Sequence, residues 1–393
     1  MRILFVTSRF PHPPRRGDQA RAFHQIRLLS QRHAITLLSF REGASPESIR
    51  AVAALCDEVQ VVDLPPWRKA LNVAWGVVTA QPIQVALYES PTMRRLVGER
   101  IRSHDVAHVQ MVRMAPYIQA GAPVVLDLID ALSVNMERRA GRDRSPLGIA
   151  ARIEAHLLRR YERYACRRVQ RSAVVSGADR EALGTIPGLE VNPQGVDLDA
   201  FPFVEGPREP DAVVFTGNLG YFVNADAVVF LARRVWPRIR AARPGASLYI
   251  VGDRPAARVR RLAGLPGVRV TGPVESMHPH LARARVAMAP TRTGSGMQTK
   301  VLEAMATGTP VVATSLAATG LEARNGEHLL LAESAEDLAA AVVRLLGDEA
   351  LCRRLAANAR RLVETRYTWE RSVEGLERLY EAVAGPGGLE ASA

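Results

Sequence analysis

A lysine and a glutamate stand three residues apart at the start of one helical pattern, directly after a glycine-rich segment. The segment is TGSGMQ (293–298), and the charged residues are Lys300 and Glu303. Glycines let a loop wrap closely around an anion, and the amino end of a helix beginning near Thr299 favours phosphate. Lys300 adds a full positive charge, while Glu303 can accept two hydrogen bonds from a vicinal diol such as a ribose. This stretch therefore predicts a nucleoside-diphosphate site.

The alternative interpretation is that Lys300 and Glu303 form an exposed ion pair that serves no ligand. The apolar sequence that follows, AMATGTPVVAT (304–314), makes this alternative less favoured. Two common phosphate motifs are excluded at the same place. A P-loop needs a glycine directly before the lysine, and a dinucleotide fingerprint needs a third glycine, but Thr299 occupies both positions. The segment therefore indicates neither a P-loop NTPase nor a nicotinamide-dependent enzyme.

Short β-branched runs alternate with longer helical patterns along the whole chain, which is typical of parallel sheets covered by helices on both faces. In the first half, strands are predicted at RILFVT, AITLLSF, EVQVVDL, VAHVQM, PVVLDL and SAVVS. In the second half, they are predicted at DAVVFTG, ASLYIVG, GVRVTG, RVAMAP, PVVAT and HLLLA. Between the halves, NPQGVDLDAFPFVEGPREPD (192–211) is rich in Pro, Gly and acidic residues and is the best linker in the chain.

The predicted fold is therefore α/β, with two Rossmann-like doubly wound domains that face each other across a cleft. The first domain is predicted at 1–195, the linker at 196–210 and the second domain at 211–366. A helix at about 367–384 is expected to pack back on the first domain. Ligands in such sheets bind outside the carboxyl ends of the strands. Glycine-bearing loops that follow predicted strands, such as RFPHPPRRGD, TGNLGYFVN and VGDRP, are the candidates for binding.

The net charge of +12 is concentrated in the first half of the chain. Residues 1–195 contain 28 basic and 18 acidic residues, whereas residues 196–393 contain 24 and 22. This excess predicts an anionic partner such as a membrane surface, although a merely solubilising surface is an open alternative. Nucleic acid is not expected as a partner, because the arginine-rich helical pattern at 152–171 lacks interleaved aromatic platforms for bases.

The amino terminus, MRILFVTSRF, is predicted to be a first strand rather than a signal peptide, and no segment is long enough to span a membrane. A cytoplasmic location is expected, with attachment to the inner face of the cytoplasmic membrane as a further expectation. Trp67 and Trp75 would share one helical face, for which core packing is favoured over membrane contact.

No metal site or disulfide framework is predicted. Cys56, Cys166 and Cys352 are odd in number and far apart, so they fit neither a disulfide framework nor a zinc site. His278 and His280 flank a proline at a helix start, which favours an ordinary loop over a metal site.

Several segments together resemble the donor domain of family 4 glycosyltransferases, which have the GT-B fold. They are LEAMATGTPVVAT (302–314), FTGNLGYFVNADAVVFLARRVWPRI (215–239), ASLYIVGDRP (246–255), the linker NPQGVDLDAF and the terminal YTWERSVEGLERLY. In the first half, GDQARAFHQIRLLSQRHAITLLSF (17–40) and VVLDLIDALS (124–133) resemble sugar transferases encoded with exopolysaccharide and exosortase systems.

The resemblance implies a retaining glycosyltransferase that uses a nucleoside-diphosphate sugar and needs no metal ion or cofactor. The implied acceptor is a lipid-linked or polysaccharide glycan in envelope or exopolysaccharide synthesis, held by the first domain. The alternative function is a sugar-nucleotide epimerase or hydrolase on the same fold, which would share the donor loop and lack an acceptor site.

In that family two glutamates separated by seven residues flank the donor, and Glu303 matches the second, which lies near the ribose. The first falls on Ser295, so the identity of the sugar does not carry over. The loop at 217–224 also lacks the family's basic clamp on the diphosphate. Lys300 is therefore the leading candidate for the phosphate charge, with help from Arg254 or Arg292.

The predicted site residues fall into three sets. Lys300 and Glu303 are the catalytic candidates. The predicted donor-binding residues are Gly217, Asn218, Arg254, Val274, Gly294, Ser295, Gly296, Met297, Gln298, Lys300 and Glu303. The predicted acceptor-binding residues are Gly17, Asp18, Arg21, His108 and Asp130.

Two of the acceptor candidates have particular sequence positions. A histidine common in the family after the fourth strand falls at Gln110, and His108 lies two residues earlier on the same strand face. Asp127 and Asp130 follow a buried-looking strand and could face the cleft, but Asp130 could equally be a helix cap.

Overall fold

The computed structural model describes residues 1–141 and 146–385, which form two compact units. Unit 1 contains Met1–Pro193 together with the segment that begins at Trp369, and unit 2 contains Gln194–Thr368. Each unit is built on one parallel sheet with helices around it, which confirms the prediction of two Rossmann-like α/β domains.

The sheet of unit 1 has seven strands in the order β3-β2-β1-β4-β5-β6-β7. The order reverses direction between β1 and β4, which makes the loops after these two strands the expected ligand-binding loops. The strands are β1 Arg2–Thr7, β2 Ala34–Phe40, β3 Glu58–Val62, β4 Val106–Gln110, β5 Val124–Ile129, β6 Arg171–Val174 and β7 Leu189–Val191. The last of these was not predicted.

The helices of unit 1 connect these strands, and most begin at a proline or after a capping serine. Ser45, Ser90 and Ser176 each accept a hydrogen bond from a backbone N–H three residues later, which satisfies a donor that the helix itself cannot. The helices are α1 Gly17–Leu29, α2 Pro46–Ala53, α3 Pro66–Val78, α4 Ile83–Ala86, α5 Pro91–Ile101, α6 Leu132–Ala140, α7 Pro146–Cys166 and α8 Gly177–Leu183. A 3-10 turn at Val112–Tyr117 follows β4.

The sheet of unit 2 has six strands in the order β10-β9-β8-β11-β12-β13, so its reversal lies between β8 and β11. The strands are β8 Glu209–Thr216, β9 Ser247–Val251, β10 Val268–Gly272, β11 Ala284–Ala289, β12 Val311–Ala313 and β13 Leu330–Leu331. The helices are α9 Phe222–Phe230, α10 Trp236–Ala242, α11 Ala257–Arg260, α12 His278–Arg283, α13 Thr299–Thr307, α14 Ser315–Ala318, α15 Ala335–Gly347 and α16 Glu349–Arg366. A π-helical segment at Leu231–Val235 joins α9 to α10, and a 3-10 turn at Arg261–Gly264 follows α11.

Both sheets are buried on both faces, because successive residues of a strand point to opposite sides. In β1, Leu4 and Val6 enter one apolar cluster while Ile3 and Phe5 enter another. In β8, Val213 and Phe215 are separated in the same way from Ala212 and Val214. This two-sided burial explains why the strands appear in the sequence as continuous apolar runs.

The last helix, α17 Trp369–Ala384, belongs to unit 1 and packs against α1. Its residues Val373, Leu376 and Val383 join the apolar cluster of β1. Its Tyr380 hydroxyl lies 2.9 Å from Nδ1 of His108 in β4. A helix far along the chain thus completes one face of the first sheet.

The segment predicted as a linker lies against unit 2 instead of running free. The backbone N–H of Val204 donates to the carbonyl of Thr307, and Arg208 donates to the same carbonyl at 2.9 Å. Phe203 lies against Gly308, which ends α13 with a left-handed φ of +76°. A Cβ at Gly308 would lie 2.4 Å from the Phe203 ring, so both the turn and the contact require glycine. The linker prediction at 196–210 is corrected accordingly.

The prediction of core packing for Trp67 and Trp75 is wrong. Their relative exposures are 62% and 63%, and both lie on the outer face of α3. The helix instead packs inward through Gly76, where a Cβ would lie 2.7 Å from the Cβ of Ala86 in α4. Within the described ranges, no helix is long and apolar enough to cross a membrane.

Candidate functional site

The carboxyl ends of β8 and β9 lie so close together that only glycine fits between them. A Cβ on Gly252, whose φ is +153°, would lie 1.8 Å from the carbonyl oxygen of Gly217. The N–H of Gly217 donates to the carbonyl of Val251, and the N–H of Leu219 donates to that of Asp253 at 2.8 Å. The loops after these two strands are therefore held as one surface at the switch point of unit 2.

Lys300 is buried beside this surface, with 8% of the residue exposed. Its Nζ donates to Asn224 Oδ1 at 2.7 Å and to Gln298 Oε1 at 3.0 Å. The Nζ also lies 5.4 Å from the centre of the Phe215 ring, and the Lys300 Cε lies 3.4 Å from where a Gly217 Cβ would stand. The ammonium group is thus held by neutral oxygens at the end of β8.

The alternative in which Lys300 and Glu303 form an ion pair is not what the structure contains. Their charged groups lie beyond the 4.0 Å limit of a salt bridge, and the ammonium bonds the two amide oxygens instead. Burial lowers the pKa of Lys300 to about 8, although the Glu303 charge partly opposes this shift. A cation without a carboxylate partner can neutralise a bound anion more fully than one already paired.

Glu303 lies one turn further along α13 and is half-buried. Burial raises the pKa of its carboxyl to about 7, and the Lys300 charge acts in the opposite direction. Within residues 1–141 and 146–385, no hydrogen-bond partner of the carboxylate is found. Its oxygens are therefore open to hydroxyl donors from a ligand.

The glycine-rich loop lies between β11 and α13, on the opposite side of the switch point from the Gly217 loop. Gly294 faces Val223, since a Cβ there would lie 3.3 Å from that side chain. Gln298 is the N-cap residue of α13 and makes no side-chain cap bond, while its Oε1 accepts from Lys300. Ser295 and Gly296 lie between these two positions and are half-buried.

Two further donor candidates pack within unit 2. The Met297 Sδ lies 3.4 Å from the backbone N of Gln194, which acts as its donor. Val274 is half-buried against the apolar cluster that contains Met297. Both residues therefore support the loop by packing.

Arg254 and Arg292, the two predicted helpers of Lys300, both pair with carboxylates of unit 2. Arg254 has a left-handed φ of +50°, and its side chain is 62% exposed and pairs with Asp253. Arg292 is bound by both carboxylate oxygens of Asp226, at 2.8 Å and 3.0 Å, and stacks over the Phe230 ring. Of these three cations, Lys300 alone forms no salt bridge with a carboxylate within the described residues.

Asn218 and Asn224 connect the Gly217 loop to Lys300. Asn224 Nδ2 donates to the Asn218 carbonyl at 3.0 Å, and its Oδ1 accepts from Lys300. Asn224 was not among the predicted site residues. The signal that could have found it is a small amide in the first turn of the helix that follows a glycine loop.

In unit 1, two acceptor candidates are buried and occupied by the protein itself, which corrects their prediction. Arg21 is fully buried, and its Nε donates to Asp127 Oδ2 at 2.6 Å. Its other nitrogens donate to the carbonyls of Asn192 and Pro193. His108 is also fully buried, and burial lowers its pKa to about 4. Both side chains hold the fold of unit 1 and cannot contact an acceptor in this arrangement.

Of the remaining acceptor candidates, Gly17 and Asp18 begin α1, and Asp130 directly follows β5. Gly17 is exposed, and Asp18 accepts from Arg9 Nη1 at 2.6 Å. Asp130 is half-buried after β5, and the N-cap position of α6 is Ala131, which corrects the helix-cap alternative for Asp130. Gln110 Nε2 donates to the Asp18 carbonyl, so the ends of β4 and the start of α1 are joined.

Comparison with known proteins finds relatives of this chain in sequence and in fold. Residues 210–348 match the family described as Glycosyl transferases group 1. Over 241 residues, the chain is 32% identical to a phosphatidyl-myo-inositol mannosyltransferase of Mycolicibacterium smegmatis, covering 59% of this chain and 61% of that protein. The chain thus spans less than two thirds of the length of this curated relative.

Two solved structures have the same fold over nearly the whole chain. Sucrose-phosphate synthase from Thermosynechococcus elongatus superposes with a TM-score of 0.74 at 18% identity, covering 98% of this chain and 99% of that one. The Anabaena protein HepE in complex with UDP and glucose superposes with a TM-score of 0.69 at 15% identity, covering 97% and 100%. The chain therefore has the GT-B fold, and its residues 210–348 match the glycosyl transferases group 1 family.

Proposed function

We propose that the protein is a retaining glycosyltransferase that moves a sugar from a nucleoside-diphosphate sugar to a lipid-linked or polysaccharide glycan. The observation that carries the proposal is the buried Lys300 ammonium, bound only by amide oxygens at the point where the glycine loops of unit 2 converge. The HepE neighbour, solved with UDP and glucose, supports a nucleotide-sugar donor. The mannosyltransferase relative, named for a phosphoinositide, supports a lipid acceptor.

In this proposal unit 2 stabilises the charge that develops on the leaving diphosphate. Lys300 supplies the full charge, and the uncapped amino end of α13 supplies backbone N–H groups and the positive end of the helix dipole. Glu303 accepts hydrogen bonds from the ribose hydroxyls and so fixes the nucleotide. The reaction is proposed to need no metal ion or cofactor, because Lys300 and the loop amides take the charge-neutralising role.

A panel of nucleoside-diphosphate sugars tests this function through release of the free nucleoside diphosphate, with and without a membrane extract. Release that requires the extract supports transfer. Rapid release without any acceptor would instead support a hydrolase, and conversion of the sugar without release would support an epimerase. The Lys300→Met variant controls for release by contaminating enzymes.

We further propose that unit 1 docks on an anionic membrane leaflet, where a lipid-linked acceptor of exopolysaccharide synthesis would be confined. Exposed apolar side chains of two helices form what we call the apolar ridge. Its members are Trp67, Leu71, Trp75 and Val78 of α3 and Leu147, Ile149 and Ile153 of α7. Such a surface on a monomer is typical of a membrane or protein contact.

The two helices of the apolar ridge are joined through α4. The Glu154 carboxylate of α7 accepts from the backbone N–H groups of Ile83 and Gln84, at 3.0 Å and 2.9 Å. Ile83 begins α4, and α4 packs against α3. Both helices of the apolar ridge are therefore anchored on α4.

The charges around the apolar ridge favour an anionic surface as its partner. Both carboxylates of α7 point inward, because Glu154 binds the start of α4 and Glu162 binds Ser133. The helices α3 and α4 contain no acidic residue, and the exposed charged side chains of α7 are all basic. The exposed arginines on α7 or directly after it are Arg152, Arg160, Arg163, Arg167 and Arg168. Each basic residue near an anionic leaflet contributes about 1 kcal/mol.

Co-sedimentation with vesicles tests the docking. Binding to phosphatidylglycerol vesicles is expected at low salt, with loss between about 50 and 500 mM salt and little binding to phosphatidylcholine vesicles. The double variant Trp67→Ser/Trp75→Ser should lose most of this binding. The matched control is Tyr221→Ser, which removes an exposed aromatic residue from unit 2. Equal recovery of the wild-type protein in the supernatant with both lipids at low salt would contradict docking.

A further inference from the structure

Arg113 is a buried cation that has no anionic partner in the described part of the chain. It lies in the 3-10 turn directly after β4, and only 9% of the residue is exposed. Its one polar contact is Nη1 to the Met111 sulfur at 3.9 Å, which is weak, and its Nε has no partner. The guanidinium also lies 5.7 Å from the centre of the Tyr88 ring. A buried charge with so few polar contacts destabilises the folded protein unless a ligand supplies the missing hydrogen bonds and opposite charge.

A second arginine lies close to Arg113. Arg9 follows β1. Burial lowers the pKa of the Arg113 guanidinium, and the positive charge of Arg9 lowers it further. Arg9 Nη1 is bound to Asp18 at 2.6 Å, while its Nε has no hydrogen bond and stands 4.0 Å from Glu42. Glu42 itself pairs with Lys69 at 2.8 Å. Asp18 and Glu42 are thus paired with other cations. The charges of Asp18 and Asp130 favour the charged form of Arg113, but within the described residues Arg113 forms no salt bridge with either carboxylate.

The position of the two arginines is the ligand-binding position of this kind of sheet. β1 and β4 are adjacent strands at which the order of the first sheet reverses, and ligands bind at such switch points. The helix α1 begins at the same place, and its N-cap residue Arg16 makes no side-chain cap bond. Met111 holds a buried, left-handed φ of +70° between β4 and Arg113, and such strain clusters at functional sites.

We propose that Arg113, together with Arg9, binds a phosphate group of the acceptor at the switch point of unit 1. The inference rests on the proposed function in one respect, namely that the bound phosphate belongs to the acceptor. A guanidinium fork matches the oxygens of a phosphate, and the Nε groups of both arginines, which are buried without a hydrogen-bond partner in the described residues, supply donors for it. The phosphate comes either from a soluble phosphorylated sugar or from the headgroup of a lipid-linked one.

Thermal unfolding in inorganic phosphate tests the site directly, with sodium chloride at matched ionic strength as the reference. Phosphate should raise the Tm of the wild-type protein, because a ligand that binds only the folded state stabilises it. In Arg113→Met the phosphate concentration for half of this effect should rise at least about tenfold. The Lys300→Met variant should keep the Arg113-dependent effect, which separates this site from the donor loop. A wild-type Tm that responds equally to phosphate and chloride would overturn the proposal.

The Arg113→Met variant also separates a binding role from a structural one. Without phosphate its Tm should equal or exceed that of the wild-type protein, because the substitution removes an uncompensated buried charge. Loss of folding in this variant together with an unchanged phosphate response in Arg113→Lys would mean that Arg113 is structural. Binding of UDP should be unchanged in Arg113→Met, so failure of the donor proposal and failure of this one give different results.

Vesicles that contain phosphatidic acid distinguish the two sources of phosphate. If the site takes a lipid headgroup, Arg113→Met should bind these vesicles less well than the wild-type protein while binding phosphatidylglycerol vesicles equally. If the site takes a soluble phosphate, Arg113→Met should lose the phosphate response and keep both kinds of vesicle binding. Equal phosphate response and equal vesicle binding in both proteins would exclude Arg113 as a phosphate ligand.

Discussion

Two buried cations, Arg21 in unit 1 and Lys300 in unit 2, lie in opposite electrostatic situations. Arg21 has a carboxylate at 2.6 Å and two backbone carbonyls, so its charge is compensated within the protein. Lys300 has two side-chain amide oxygens and an aromatic ring, so its direct contacts carry only partial charges. Both were expected from the sequence to contact substrates, but Arg21 is fully buried and paired within unit 1.

The difference shows how a buried charge can be assigned to the fold or to a ligand. A fully paired buried ion contributes to the structure, because removal of one partner leaves the other as an uncompensated buried charge. A buried cation among neutral groups is poorly stabilised in the free protein, and an incoming anion supplies what is missing. Substitutions that remove one of these two arrangements should therefore separate effects on the fold from effects on the chemistry.

The largest effect is expected for Arg21→Met, which leaves Asp127 charged and buried. The free energy of unfolding of unit 1 should fall by about 3–5 kcal/mol. Chemical denaturation followed by circular dichroism measures this change. The matched variant Lys300→Met removes no salt-bridge partner from a carboxylate. Its free energy of unfolding should stay within about 1 kcal/mol of that of the wild-type protein. Equal destabilisation by both variants would remove the distinction between the two cations.

Replacement of Lys300 by alanine should lower turnover about 100- to 1,000-fold, with a smaller effect on the donor KM. The reason is that the ammonium matters most when the leaving diphosphate gains charge. Lys300→Arg should restore only part of the activity, because a planar fork does not replace a compact ammonium. Steady-state release of the nucleoside diphosphate measures both variants. Near-normal turnover in both would move the phosphate charge to Arg254, the next candidate.

Glu303→Ala should weaken binding of the free nucleoside diphosphate by about 1.5–3 kcal/mol, which is the usual contribution of hydrogen bonds to a charged group. Isothermal titration measures this loss directly. Glu275→Ala removes an exposed carboxylate from the same unit and serves as the control. Unchanged affinity in a folded Glu303→Ala protein would exclude this carboxylate from the site.

The smallest effect is a pH dependence of nucleotide affinity of up to about tenfold per pH unit. Lys300 has its pKa lowered to about 8, so it loses its charge and its attraction for diphosphate as the pH rises above that value. Glu303 has its pKa raised to about 7, so it becomes a weaker acceptor as the pH falls below that value. Affinity should therefore be highest between these two pH values. Lys300→Met should flatten the alkaline side only, and Glu303→Gln the acidic side only.

Local sequence features predicted the local structure well. The start of α13 at Thr299 and the turn at Gly308 follow from helix capping and from the freedom of glycine at positive φ, which are properties of neighbouring residues. The parallel strands follow from continuous apolar runs. What the sequence could not supply is the partner of each charge. Arg21 and Asp127 are 106 positions apart, and their pairing depends on how β5 and α1 pack.

The surroundings of the predicted site residues follow from the sequence only in part, for the same reason. The spacing of Lys300 and Glu303 placed both on α13, but the ligands of the ammonium come from Asn224 on a different helix and Gln298 on the loop. The exposure of Trp67 and Trp75 shows a related limit. Periodicity indicates that two residues share a face of a helix, and it does not tell which face the rest of the fold will cover.

The return of α17 to unit 1 has a consequence for how the chain is made. Unit 2 is contiguous from Gln194 to Thr368, so all of it has left the ribosome before α17 does. Until α17 is made, the apolar surface of residues 1–193 that packs against Val373 and Leu376 stays uncovered. During the same time the His108 ring has no hydrogen bond from the Tyr380 hydroxyl. Synthesis at about 5–20 residues per second makes this wait roughly ten to forty seconds. During that interval the nascent first unit is the part of the chain most in need of a chaperone.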